Sequence, residues 1–389
     1  MKILVWQWGR RGAGPRFAAC LADALRGRPG IEVALSLCRN AEIMAGANPP
    51  RCEMPVRTYR GKLSFLARLL TALPFLVARL HRIRPDLAIC AMPGPLDVLM
   101  AVALRLLRAR VVVIVHDADS HPGDGFPMQM ALQRLLCRLA HGLAALCGHV
   151  GVRLQAQGLA GNTSRALLLF EHPPFAFDVP VAERPPGPPR LLCFGRLLPY
   201  KGLDLLAEAL ASLPPAGRPE VRVAGCGPDL PALDALRGIP GVTVENRWVP
   251  EPEIGRLLAW SDALVLPYRE ASQSGVAAAA LAAGRPVIAT RVGGLGEQLA
   301  AAPRALLCEP RPDSLARAIR TWMAEPHEAP QGADAAEAWR QAVSALLLAI
   351  ETALPTRASP ARRRAGLIWI RGVRRPRPGT GLAGPGVLR

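Results

Sequence analysis

Arg196 and Lys201 stand in Gly195-Arg196-Leu197-Leu198-Pro199-Tyr200-Lys201-Gly202, directly after the apolar run Leu191–Phe194. A guanidinium and an ammonium beside a glycine that lets backbone approach closely match the charge and reach of a diphosphate. Ala224-Gly225-Cys226-Gly227-Pro228 repeats the glycine turn after a second apolar run, and Ser272-Gln273-Ser274-Gly275 opens an alanine-rich segment ending at Gly284-Arg285-Pro286. A further turn, Gly293-Gly294-Leu295-Gly296, leads to Glu297. Each turn alone is equally well a solvated loop. Together, after successive apolar runs, they read as strand ends leading into helix N-termini, whose unpaired N–H groups favour anions. The chemistry indicated is the holding of a phosphate-bearing small molecule.

In the first half, the apolar run Val111–Val115 is followed by His116-Asp117-Ala118-Asp119-Ser120-His121. A histidine at that strand end could bond a sugar hydroxyl or carry a proton. The H-D-x-D-x-H string could also be a set of metal ligands, or a polar loop with capping aspartates. Gly9-Arg10-Arg11-Gly12-Ala13-Gly14 follows the first apolar run and lacks the G-x-G-x-x-G order of dinucleotide sites. Gly12, Gly14 and Arg16 stand in or just after this loop, where Arg10, Arg11 and Arg16 would suit an anionic ligand or simply be solvated.

The elements that position these residues alternate in type. Expected strands are Ile3–Trp6, Ile31–Leu37, Leu87–Ala91, Val111–Val115, Leu143–Cys147 and Ala166–Leu169, then Leu191–Phe194, Val221–Ala224, Val242–Val244, Ala263–Leu266 and Val287–Ala289, with helices between them. Short, wholly apolar strands fit parallel sheets covered on both faces. The fold class is therefore α/β, with two Rossmann-like doubly wound domains facing a cleft. The boundaries expected are 1–172, a Pro-rich linker at 173–189, 190–354, and a basic tail at 355–389 that reads as disordered.

The chain of 389 residues carries a net charge of +18, distributed unevenly. Residues 1–180 hold 22 Lys/Arg against 11 Asp/Glu, residues 181–354 hold 17 against 19, and residues 355–389 hold 9 against none. Lys62–Arg84 is apolar and basic together, reading either as an ordinary packed helix or as one lying on an anionic membrane. Its longest uncharged run, broken by Pro74, is too short to span a bilayer. Specific nucleic-acid binding has no motif behind it. The nine cysteines are scattered, with no CxxC pair, and the amino terminus lacks a secretory signal; both point to the cytoplasm, with the inner face of the plasma membrane as a peripheral station.

The ordered pattern F-G-R-L-x-x-x-K-G, V-A-G-x-G-P, W-V-P-E-P-E-I and Y-R-E-A-S-Q-S-G-V…G-R-P-V-I-A-T-x-V-G-G-L-x-E over about 190–300 resembles the nucleotide-sugar glycosyltransferases of the GT-B fold, in the retaining "glycosyl transferases group 1" family. The wording of its last element resembles a subgroup acting on bacterial polysaccharides and lipid-linked sugars. The resemblance implies Arg196, Lys201, Ser274, Gly275 and Val276 as donor-diphosphate ligands and Gly225, Gly227 and Glu297 near the nucleotide. It places His116 beside the donor sugar and makes the loop of Gly12, Gly14 and Arg16 the candidate acceptor side, whose arginines would suit an anionic acceptor. Family members carry an E-x7-E pair where this chain has Ala271 and Ala279, and Glu270 is the neighbouring carboxylate that could stand in for the first glutamate. The implied activity is retaining hexosyl transfer from a nucleotide-diphosphate sugar to a saccharide or lipid-linked acceptor, with neither metal nor other cofactor. The alternatives are a nucleotide-sugar 2-epimerase of the same fold, or an inactive sugar-nucleotide-binding scaffold.

Overall fold

A computed structural model describes residues 1–59, 61–125, 128–161, 165–180, 187–300, 302, 304–325, 332–354 and 367–368. The amino-terminal unit runs β1 (Lys2–Gln7), α1 (Ala13–Arg26), β2 (Glu32–Leu37), α2 (Lys62–Ile83), β3 (Leu87–Cys90), α3 (Asp97–Leu106), β4 (Arg110–Val115), α4 (Gln129–Leu139), β5 (Gly142–Ala145), α5 (Gly148–Ala156) and β6 (Ala166–Leu169). The carboxy-terminal unit runs β7 (Arg190–Phe194), α6 (Leu203–Ala211), β8 (Glu220–Gly225), α7 (Pro231–Arg237), β9 (Val242–Asn246), α8 (Glu251–Trp260), β10 (Ala263–Leu266), α9 (Gly275–Ala282), β11 (Val287–Thr290), α10 (Gly293–Leu299), β12 (Ala305–Cys308) and α11 (Pro312–Ala324). A last helix, α12 (Ala335–Ala353), and a two-residue strand, β13 (Leu367–Ile368), follow.

Both sheets are parallel. Their strand orders are β13-β6-β5-β4-β3-β1-β2 and β12-β11-β10-β7-β8-β9. Strands β3, β5, β10 and β11 are buried along their whole length, because helices cover both faces of each sheet. Apolar clusters accordingly fill both sides of each sheet. This is the pair of Rossmann-like units the alternation predicts.

The domain boundary departs from the expected one. Trp339, Val343, Leu346 and Ile350 of α12 pack into the amino-terminal core beside α1 rather than into the domain that precedes them in sequence. The linker is also anchored: Phe175 is buried, its N–H donates to the Ala278 carbonyl at 3.2 Å, and Trp339 Nε1 donates to the Pro174 carbonyl at 3.0 Å. Helix α2 runs through Pro74, which forgoes one backbone hydrogen bond without ending the helix. Of the basic tail, only Leu367–Ile368 are described, paired with β6; the expectation of disorder for the rest falls outside the described residues.

Candidate functional site

A cleft of about 620 Å³ opens between the two units at the carboxyl ends of their strands. Arg196, Lys201, Gly225, Ser274, Gly275 and Val276 line it from the carboxy-terminal side, and Gly12, Gly14, Arg16 and His116 from the amino-terminal side. Sequence reasoning therefore brings together most of the residues it selects.

Lys201 is held by the turn that follows β7. Gly202 closes that turn at φ 64, where a Cβ would lie 1.9 Å from the Pro267 carbonyl oxygen, so only glycine fits. Gly225 is equally constrained, since a Cβ would fall 1.6 Å from the Gly195 carbonyl oxygen. These close approaches bring the ends of β7, β8 and β10 together. Lys201 Nζ sits 3.6 Å from the Tyr268 ring centroid and 4.8 Å from that of Tyr200. Burial first, and the nearby Arg196 charge second, push its ammonium down to about 7. An incoming diphosphate would reverse that penalty. Arg196 donates to the Tyr200 hydroxyl at 3.1 Å and pairs with Asp124 across the cleft.

The β10–α9 turn supplies backbone donors. Ser274 caps α9, its hydroxyl accepting from Ala277 N–H at 3.3 Å, while Gln298 accepts from Ser274 N–H at 2.8 Å and donates to its carbonyl at 3.0 Å. The N–H groups of Gly275 and Val276, in the first turn of α9, have no hydrogen-bond acceptor among the described residues. They line the same cleft as Lys201. Ala271 and Ala279, at the positions of the E-x7-E pair, present methyl groups to it.

His116 is buried. Its Nε2–H donates to the Ala91 carbonyl at 3.2 Å and its Nδ1 accepts from Gln273 Nε2 at 2.9 Å, which fixes a neutral tautomer. Desolvation lowers its ring to about 4, so it serves as a neutral hydrogen-bonding group. The Phe17 ring, 5.1 Å away edge-on, holds the imidazole, and also meets His172, Phe170, Phe175 and Trp339. Gln273 Oε1 is buried with no hydrogen-bond partner among the described residues.

Three expected residues lie elsewhere. Glu270 is outside the cleft lining and accepts from His121 Nδ1 at 3.2 Å, while the other ring nitrogen faces Asp117 at 3.2 Å. His121 thus bridges the two domains, stacked on Tyr200 at 4.6 Å. Hydrogen bonding to Asp117 outweighs burial and raises its pKa. Burial alone would raise Asp117, yet His121 and Ser272 hold it below the ordinary carboxylate value. Glu297, expected near the nucleotide, accepts from Gly148 N–H at 2.6 Å and His149 N–H at 3.0 Å, capping α5 of the opposite domain. Gly227 donates to Asn246 Oδ1 at 3.0 Å, behind the wall that Gly225 and Cys226 form. Arg16 lines the cleft but is engaged by Glu251, the Ala176 carbonyl and the Phe177 ring, so it ties the domains together.

Sequence reading passes over Tyr200, Tyr268 and Gln273. The tyrosines sit inside quoted strings, at strand ends among cations, which is the available signal; nothing in the order of residues marks Gln273. Among the described residues no three His, Cys, Asp or Glu side chains converge as a metal set.

Residues 188–325 match a protein-family model described as "Glycosyl transferases group 1". The 2-deoxystreptamine glucosyltransferase of Streptomyces kanamyceticus is 28% identical over 67% of this chain and 74% of that one. A GDP-mannose:glycolipid 4-beta-D-mannosyltransferase of Xanthomonas campestris pv. campestris is 31% identical over 26% of this chain and 30% of its own length. Among solved structures, Anabaena HepE in complex with UDP superposes with a TM-score of 0.62 at 19% identity, over 90% of this chain and 95% of that one. With its two facing Rossmann-like domains, the chain has the GT-B fold, and its carboxy-terminal domain is similar to the glycosyl transferases group 1 family over the matched residues.

Proposed function

We propose that the chain transfers a hexose from a nucleotide-diphosphate sugar to a saccharide or lipid-linked acceptor, with retention at the anomeric carbon and without a metal or other cofactor. The observation that carries this reading is Lys201, a desolvated lysine on the cleft wall, set beside Arg196 and the unpartnered amides of Gly275 and Val276. Cations and amides preorganised at one spot stabilise a diphosphate as it takes up charge on leaving. The leaving phosphate then assists the acceptor hydroxyl on the same face, which gives retention without a protein nucleophile. His116, beside the donor sugar, fixes the Gln273 amide through its Nδ1, and the unpaired Gln273 Oε1 accepts from a sugar hydroxyl in place of the carboxylates absent at 271 and 279.

The relatives guide the choice of donor. HepE was solved with UDP and with UDP-glucose, and the Xanthomonas enzyme is named for GDP-mannose and a glycolipid. Nine free thiols, five of them buried, fit work in the reducing cytoplasm. Among the described residues no helix is long and apolar enough to cross a membrane.

One observation favours a second reading. Asp117, His121 and Glu270 form an acid–base set at the domain junction, as 2-epimerisation of a nucleotide sugar would need. Incubating the chain with a nucleotide sugar and candidate acceptors separates the two. Free nucleoside diphosphate formed together with glycosylated acceptor supports transfer. An epimerised donor with unchanged nucleotide content supports the alternative.

A further inference from the structure

Helix α2 presents an unusual face to solvent. Leu63, Ala67, Thr71, Phe75 and Ala78, spaced three or four residues apart, are all exposed, Leu63 at 85% and Phe75 at 48%. A surface helix ordinarily carries its charges on that stripe, and here charge appears only where the stripe ends, at Arg82. Leu106 of α3, 64% exposed, lies alongside, and with Leu73, Pro74, Val77 and Ala78 lines a shallow apolar groove between the two helices. Helix α4, packed on α3, adds Leu135 at 43% and, just before its start, Met128 at 63%.

Within α2, α3 and α4 the exposed charge has one sign, and the nearest exposed acid at a helix end is Asp86, after α2. Arg82, Arg84, Arg105, Arg108, Arg134 and Arg138 are exposed on these helices or at their ends. None has a carboxylate within ion-pair distance among the described residues. The only acid within the three helices, Asp97, is buried. An acidic protein or an RNA would pair with the arginines and leave Leu63, Phe75 and Leu106 in water. A bilayer with anionic headgroups takes both, the apolar side chains entering the acyl boundary and the guanidiniums meeting phosphates.

We propose that the α2–α3–α4 face of the amino-terminal domain docks on an anionic phospholipid bilayer. The position has a consequence for the cleft. Tyr59, just before α2, receives cleft-lining Arg10 on its carbonyl, and Gln129, Met130 and Gln133 of α4 line the cleft directly. Docking therefore sets the acceptor rim of the cleft at the headgroup layer. The surface stands independently of the transfer reaction, because none of its docking side chains touches Lys201, Arg196 or the β10–α9 turn.

The test is flotation of the full chain with vesicles of phosphatidylcholine alone and of phosphatidylcholine with phosphatidylglycerol, for wild type, Phe75→Ser with Leu106→Ser, and Arg82→Glu. The arginine-rich tail is the same in all three, so differences report this face. Wild type should float with the anionic vesicles, less so as salt is added. The paired serine variant should lose about tenfold in partitioning, the change made by roughly 1.4 kcal/mol of lost apolar burial. Arg82→Glu should lose several-fold or more. Phe75→Trp should gain quenching by brominated acyl chains over the wild-type signal, a readout that misfolding does not mimic. Flotation unchanged in both variants, or retention on single-stranded RNA that depends on Phe75 while vesicles are ignored, overturns the proposal.

Discussion

Replacing Lys201 with methionine should make the protein more stable and a worse binder at once. The native ammonium is pressed between two tyrosine rings, 3.6 Å from one centroid, with the Arg196 guanidinium near, and it titrates at about 7 instead of 10.5. At about 1.36 kcal/mol per pH unit, that interval sets an upper bound of roughly 5 kcal/mol on the cost of keeping the charged form folded. Solvent reaches part of the side chain, so about 2 kcal/mol is the working expectation. Between about pH 7 and 10.5 the unfolded chain binds the proton that the folded chain has released, so wild-type stability rises with pH across that window. The advantage of Lys201→Met should therefore be full below about pH 7 and gone by 10.5. A charged hydrogen bond contributes about 1.5–3 kcal/mol, so affinity for UDP or GDP should fall roughly 10- to 150-fold. Urea unfolding at several pH values and calorimetric titration with each nucleotide measure the two halves. A methionine variant no more stable than wild type at neutral pH, or one that binds nucleoside diphosphate undiminished, refutes the reasoning.

Phe17→Ala, which empties the centre of the aromatic cluster around His116 and Trp339, should cost about 3–5 kcal/mol in urea unfolding. Glu297→Ala removes the cap that the carboxy-terminal domain places on α5; small-angle scattering should show a wider spread of interdomain distances, with about 1 kcal/mol lost in stability. His121 is raised above its ordinary pKa, so its contribution is complete below the unfolded value and lost as pH rises through the folded one. His121→Ala should accordingly differ from wild type in melting temperature under mildly acidic conditions and much less under alkaline ones. On the proposed reading, in which the His116–Gln273 pair faces the donor sugar, Gln273→Ala should lower kcat more than it raises KM for donor; equal effects on both would argue for a structural role alone.

Much of the fold was legible because parallel strands buried on both faces leave a plain mark: Val111–Val115 and Ala166–Leu169 read as strands from composition and occur as such. The cleft wall of the carboxy-terminal domain was legible for a related reason. Glycines at 202 and 225 are demanded by backbone clashes that no other residue survives, so they mark the turns in the sequence itself. What stayed hidden depends on how the two domains meet. Glu297 and Arg16 look like ligand residues within their own segments, and only the docking of the domains shows them bonded to the opposite partner. The destination of α12 was hidden for the same reason, since an apolar stripe specifies burial without specifying against which core.

The account rests on a diphosphate being gripped, and its sugar released, at the wall formed by Arg196, Lys201 and the start of α9. Phosphorus NMR of the full chain incubated with UDP-, GDP- and ADP-sugars and a bacterial lipid extract tests this most directly. The account predicts that at least one donor yields free nucleoside diphosphate together with glycosylated acceptor, and that Arg196→Ala combined with Lys201→Ala abolishes it. Donors left intact and unbound, or turnover that survives loss of both cations, would contradict it.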